Sequence, residues 1–211
     1  MSEPTEKVFD NPSAMGVGDA VGVPEAQETA PIEEPRRCWF VAFVNHNSEK
    51  AVRDRLVKLG YEAFVATRDE IHRWRNGKRK KVEVIVITTL VFIRCTEKER
   101  RFIVNFPFIK AFLTNKAGKL NPYGGRPLAV IPDRQMNMLR LMLGKSDVPV
   151  HYTPSHFSLG DTVRVEGWGE GIFVGHVVRI PGDSANYVGI RIDNLGCAYM
   201  EISPDRLEII K

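Results

Sequence analysis

The sequence predicts an α+β fold in which an antiparallel sheet with helices precedes a small all-β module. Between residues 37 and 143, short β-branched and aromatic runs alternate with stretches of helical periodicity. From residue 158 to residue 180, glycines punctuate runs of alternating apolar residues, which reads as short strands joined by tight turns. A helix there would lose about 1 kcal/mol at each interior glycine relative to alanine. A third observation concerns the N-terminus. Residues 1–34 hold one aromatic, Phe9, with four prolines, three glycines and no periodicity. Such a segment buries too little apolar surface to offset its ordering entropy, so residues 1–36 are expected to form a disordered acidic tail.

Order is expected from Arg37 onward. Residues 38–44, aromatic and β-branched, predict a first strand. Asn47 or Ser48 caps a helix that ends at Leu59, with Val52, Leu56 and Leu59 on one face and Gly60 as its stop. Residues 62–66 predict a second strand. Residues 70–75 and 78–87 then form a hairpin about Asn76-Gly77, a pair that suits a type I′ turn because both central residues need positive φ. Residues 90–94 are apolar enough for a central strand. Thr96 and Glu99 have the spacing of a capping box and open a helix that stops before Pro107. Residues 108–113 predict another strand, followed by turn clusters at 115–118 and 121–125. The next helix runs from Asp133 to Leu143, with Met136, Leu139 and Leu143 inward and Gly144 as its cap. Residues 37–145 thus read as one domain, and 146–156, with Pro149 and Pro154, as a linker. Residues 157–211 form a second domain with strands at 162–165, 175–180, 187–192, 198–202 and 207–210. A domain this short folds alone at the margin, burying roughly 60% of the surface its unfolded chain exposes.

Composition narrows the function. No apolar run reaches the roughly 18 residues of a membrane span, and the acidic N-terminus lacks the apolar core of a secretory signal. A cytoplasmic protein with no membrane partner is therefore expected. Cys38, Cys95 and Cys197 lie far apart, the pattern of buried thiols rather than of a disulfide framework or zinc site. Residues 1–34 set eight acidic side chains against Lys7, so removing their −7 from the formal net charge of +4 leaves +11 on the rest. An acidic tail on a basic body points to a polyanionic partner. A basic surface that serves only solubility is the alternative.

The motifs favour binding over chemistry. Gly167, Gly169, Gly171 and Gly175 precede β-alternation rather than a helix, so they do not make a phosphate-binding loop. His46, His72, His151, His156 and His176 form no ligand pair on one helix, and no metal, cofactor or enzymatic activity is expected. The strongest signal is electrostatic. Residues 68–81 carry Arg68, Arg73, Arg75, Lys78, Arg79, Lys80 and Lys81 against Asp69 and Glu70, a net +5 with Trp74 among them. A cationic hairpin tip with one aromatic tracks phosphates and stacks on a base, without reading sequence. Lysines that discourage edge pairing are the alternative. Lys50, Arg53, Arg55 and Lys58 on the first helix either extend that surface or form a solvated face. On the strands, Phe40 and Phe43 point to opposite sides, while Leu90 and Phe92 share one. Periodicity alone favours placing all four in the core.

Taken in order, these residues resemble the NusG family of transcription factors. Trp39-Phe-Val41, followed by Glu49, Leu56 and Gly60, is similar to the opening strand and helix of the family's N-terminal (NGN) domain. The basic Asn-Gly hairpin sits where that domain has one. Ile87-Thr-Thr-Leu-Val-Phe-Ile93 stands at its Phe-Pro-Gly-Tyr-Val-Phe-Val strand, with Thr88-Thr89-Leu90 replacing Pro-Gly-Tyr. Gly160-Asp-Thr-Val-Arg-Val and Gly175-His-Val-Val-Arg-Ile resemble the KOW motif. At the KOW domain's Ile-Phe-Gly stands Asn194-Leu195-Gly196, without the exposed phenylalanine. The resemblance covers residues 37–211, and residues 125–136 are similar to specialised paralogues of the UpxY/RfaH type, which act at polysaccharide operons.

The resemblance implies an NGN-type αβ sandwich followed by a small SH3-like KOW barrel, in a monomer. It implies docking on the clamp helices of RNA polymerase through an apolar face of Phe43, Ile87, Leu90 and Phe92, which overrides the core placement from periodicity. Lys50, Arg53, Arg55, Lys58, Arg73, Trp74, Arg75, Lys78, Arg79, Lys80 and Lys81 would lie near upstream or non-template DNA. Leu195 would mark the KOW contact that the family makes with a ribosomal protein or Rho. Binding would stabilise the elongating conformation over the paused one, giving an elongation or antitermination factor. A general NusG-type factor and a KOW-containing ribosome- or RNA-binding protein remain the alternatives.

Overall fold

Every position of the first strand is apolar because both of its faces are covered. In the computed structural model, which describes residues 35–75, 77–144, 148–154, 159–165, 173–180 and 183–210, strand β1 is Cys38–Phe43. Strand β5, Leu90–Cys95, pairs with it antiparallel from Cys38↔Cys95 to Phe43↔Leu90. Strand β2, Glu62–Phe64, flanks β5, and the two-residue strands β6, Ala111–Phe112, and β7, Val130–Ile131, both pair with β1. Alternation sends Phe40, Ala42, Val91 and Ile93 to one side, where they pack with Val52 and Leu56 of helix α1, Glu49–Lys58, and Ile103 of helix α2, Glu97–Ile103. Trp39, Val41, Leu90 and Phe92 face the other side, in the same cluster as Met136, Leu139, Met142 and Leu143 of helix α3, Asp133–Leu143. Each such buried Val, Leu, Ile, Phe or Met side chain contributes about 1.5–3 kcal/mol.

The helix boundaries follow local chemistry. At α2, Glu99 N–H donates to Thr96 Oγ1 at 3.2 Å and Thr96 N–H to Glu99 Oε2 at 2.7 Å, the expected reciprocal box. Gly60, at φ +87°, ends α1: its N–H bonds Val57 O, and Tyr61 N–H reaches back to Leu56 O. The expected cap at the other end is corrected. Ser48 Oγ donates to Asn45 O at 2.6 Å instead of accepting from the helix, and Asn47 takes a left-handed φ of 63°. Helix α3 matches its expected span, but its C-cap, Gly144, lies in the right-handed region at φ −70°.

The hairpin strands β3, Thr67–Arg73, and β4, Arg79–Ile85, form their own two-stranded sheet. Asn76 lies outside the described residues, yet the hairpin closure corrects the expected two-residue turn. Trp74 N–H bonds Lys78 O and Gly77 N–H bonds Trp74 O, both at 2.9 Å, with Gly77 at φ +75°. This is the pattern of a three-residue loop in which glycine supplies the left-handed residue.

The C-terminal part is a six-stranded antiparallel sheet: β8, Val150–Thr153; β9, Leu159–Val165; β10, Phe173–Val178; β11, Tyr187–Ile192; β12, Gly196–Glu201; and β13, Leu207–Ile209. Their order is β13-β9-β10-β11-β12-β8. Strand β8 falls within the expected linker. Four residues of that span pair with β12, from Cys197↔Thr153 to Met200↔Val150, so the sheet begins earlier than its glycine pattern suggests. The expected tail at 1–34 and the Gly-Trp-Gly-Glu-Gly turn at 167–171 lie outside the described residues. Helix α3 also meets β10 and β11, and Asp193 N–H donates to Gln135 Oε1 at 2.9 Å.

Candidate nucleic-acid interface

The basic hairpin is held at its base and charged at its tip. At the base, Glu83 of β4 accepts from Arg53 Nη1 at 2.9 Å and from Thr67 Oγ1 at 2.7 Å, and Lys50 Nζ lies 3.5 Å from its carboxylate. Lys50 Nζ also donates to the Glu83 carbonyl. Partial burial disfavours the charge on Glu83, but the hydrogen bonds from Thr67 and Arg53 and the charges of Arg53 and Lys50 win, holding its carboxyl below the usual range. Two of the four expected α1 cations are thereby engaged in fixing the hairpin to the helix. Of the other two, the Arg55 guanidinium lies 5.7 Å from the ring centre of Phe108, and Lys58 is exposed.

Toward the tip the acidic partners run out. Lys81 pairs with Asp69 at 2.8 Å, while Glu70 takes Arg68 and, at 3.2 Å, His72. The His72 hydrogen bond, opposed by desolvation and helped by Arg68, holds the Glu70 carboxyl below its ordinary value. Beyond them Arg73 stands directly across from Arg79, and His72 from Lys80. The like charges of Arg73 and Arg79, placed opposite each other, destabilise the ladder by a few tenths of a kcal/mol. Among the described residues, Arg73, Arg75, Arg79 and Lys80 make no ion pair. Trp74 is 60% exposed between them, and Lys78 is exposed as well. The fold therefore collects uncompensated charge and an open indole at one end of a ribbon, as a strand-tracking surface requires.

The expected docking residues sit differently. Ile87, Leu90 and Phe92 are 1%, 5% and 0% exposed, within the core cluster that includes α3, and only Phe43 is half-buried. They do not form an open apolar face, because the α3 side of the sheet is covered; the core placement from periodicity holds for Phe40, Leu90 and Phe92, while Phe43 is only half-buried. Leu195 is also corrected: it is 8% exposed and belongs to the core, with its carbonyl accepting from Tyr152 Oη at 3.0 Å.

Sequence reasoning missed Glu83 as the hub of the hairpin base and Glu49 as a buried clamp. Glu49 is fully buried, and its Oε1 accepts from Thr89 N–H at 2.6 Å. That bond, with Val44 N–H donating to Thr89 O at 2.9 Å, holds Thr89 at φ +63°, a conformation that normally calls for glycine. The Thr88-Thr89 replacement was the available signal, since a β-branched residue in a glycine position needs local support. Burial pushes the thiol of Cys95 up to about 12 and that of Cys197 to about 11, which makes both poor nucleophiles at neutral pH. Among the described residues no group of three His, Cys, Asp or Glu side chains is placed to hold a metal ion, and no helix is long and apolar enough to cross a membrane.

A search of curated proteins finds no match to the chain. Residues 37–140 match the family model described as Transcription termination factor nusG. That match covers the five-stranded sheet, the basic hairpin and nearly all of the three helices, so residues 37–140 are similar to the domain of that family.

Proposed function

We propose that the protein binds elongating RNA polymerase and suppresses pausing or termination, with polysaccharide biosynthesis operons as its targets. The observation that carries the nucleic-acid part is the hairpin tip, where Arg73 and Arg79 face each other without an acidic partner among the described residues. A polyanion beside the tip relieves that repulsion, and the salt-linked contacts hold the factor near upstream or non-template DNA. No residue in this account performs chemistry; binding energy favours the elongating conformation over the paused one.

Polymerase docking, on the clamp helices, is proposed around Phe43, the one member of the expected apolar set that reaches solvent. Ile87, Leu90 and Phe92 support it from beneath. The C-terminal sheet is proposed to be a KOW domain, and its sequence pattern at residues 160–165 and 175–180 supports that reading. Its contact with a ribosomal protein or Rho belongs to the same proposal. Transcription by purified polymerase through an intrinsic terminator tests the reading. Added protein is expected to raise read-through, and alanine at Arg73 and Arg79 to reduce that gain. Unchanged read-through with wild-type protein would overturn it.

A further inference from the structure

The seam between α3 and the C-terminal sheet encloses a cleft of about 480 Å³ that the transcription reading does not use. Its lining joins residues far apart in the chain: Arg134, Gln135 and Met138 from α3, Thr162 and His176 from β9 and β10, and Ile190 and Arg191 from β11, with Val174. The volume falls in the range of small-molecule sites, about 300–1,000 Å³. Its chemistry is divided. Met138 and Val174 offer an apolar floor, whereas Arg134, Arg191 and His176 bring basic groups and Thr162 a hydroxyl; Ile190 lies on the buried face of β11.

Among the described residues, no carboxylate lines the cleft. Asp133, beside Arg134 in sequence, is committed to the N-terminal sheet: it accepts from Trp39 Nε1 at 2.9 Å and lies 3.6 Å from Arg94. Asp193 approaches Arg191 only to 3.9 Å. Both arginines are exposed, Arg134 makes no ion pair among the described residues and Arg191 only the long one to Asp193, and a guanidinium group suits the oxygens of a phosphate. The Thr162–His176 contact, at 3.4 Å, is long enough to yield to a better acceptor.

We propose that this cleft binds a nucleoside monophosphate group, with its phosphate on Arg134, Arg191 and His176 and its ring system on Met138 and Val174. The group belongs either to a free nucleotide or to the 5′-phosphorylated end of an RNA strand. Because one wall comes from α3 and the other from the C-terminal sheet, an occupied cleft strengthens their contact beyond the Gln135–Asp193 hydrogen bond. The site is independent of the hairpin and of polymerase docking.

Calorimetric titration of the full chain tests it, using adenosine 5′-monophosphate, adenosine, inorganic phosphate, and an RNA oligonucleotide with and without a 5′-phosphate. The monophosphate is expected to bind saturably, and adenosine or phosphate alone at least about tenfold more weakly, since each lacks half of the contacts. Arg134→Ala with Arg191→Ala should weaken the monophosphate at least about tenfold while leaving the circular dichroism and unfolding midpoint unchanged. Arg73→Ala with Arg79→Ala should leave it unaltered. Displacement of the monophosphate only by the 5′-phosphorylated oligonucleotide supports the site with RNA as its source; no displacement by either oligonucleotide supports it with a free nucleotide. No saturable binding at millimolar monophosphate, or equal binding by the Arg134/Arg191 variant, would overturn the proposal.

Discussion

Glu83→Gln separates what holds the hairpin from what the hairpin binds. The substitution keeps an oxygen that can accept from Thr67 but removes the charge facing Arg53 at 2.9 Å and Lys50 at 3.5 Å. The three side chains are between 26% and 35% exposed, so solvent screens the pairs and each is worth about 0.2–1 kcal/mol. Glu83 also stands directly opposite Asp69, and removing one of two facing carboxylates returns a few tenths of a kcal/mol. The net expectation is a loss of about 1 kcal/mol at neutral pH, read as a lower urea midpoint at unchanged m-value. The sign of the pH dependence follows from the lowered carboxyl. Its stabilisation is complete above the unfolded value near 4.5 and drains away as pH falls through the lower folded value. Wild type and variant should therefore converge at about pH 2. Nucleic-acid affinity should hold or rise, because the change adds net positive charge to the ribbon. No difference at pH 7, or one that persists undiminished at about pH 2, would refute the assignment of Glu83 as the hub.

Alanine at both Arg73 and Arg79 should weaken single-stranded nucleic-acid binding and reduce the slope of log affinity against log salt by up to about 1.4, with no loss of stability; filter binding across a salt series measures it. Thr89→Gly should raise stability by up to about 1 kcal/mol in urea unfolding, since glycine adopts the left-handed conformation without a Cβ clash, less its greater unfolded-state entropy. Phe92→Ala should cost about 3–5 kcal/mol, because the ring is fully buried against the α3 side of the sheet. Phe43→Asp, at a half-buried position, should instead leave the chain folded and reduce polymerase pull-down.

The elements that were legible in the sequence carry their own local signal. The Thr96–Glu99 box, Gly60 after the buried Val52 and Leu56, and the Asp133–Leu143 periodicity each depend on neighbours within a few residues, whereas Leu59 of the expected stripe is exposed. What was not legible depends on distant partners. Strand β8 has two prolines around it and becomes a strand only because β12 lies beside it. Strand β7 is two residues long and exists by pairing with β1 at Trp39 and Phe40. The site divides in the same way. The charge of the hairpin tip could be read from residues 73–81, whereas the commitment of Lys50 and Arg53 to Glu83 spans about thirty residues of chain. The docking set went astray because an apolar run in β5 is compatible with a core strand and with an open face, and only the position of α3 decides between them.

The central claim is that this chain acts on elongating polymerase, and a single-round transcription assay on a template with one pause site and one intrinsic terminator measures that action. Wild-type protein should shorten the pause and raise read-through, the Arg73/Arg79 alanine variant should do so less, and Phe43→Asp should do neither. Pause lifetime and read-through unchanged by saturating wild-type protein, or a Phe43→Asp variant as active as wild type, would contradict the account.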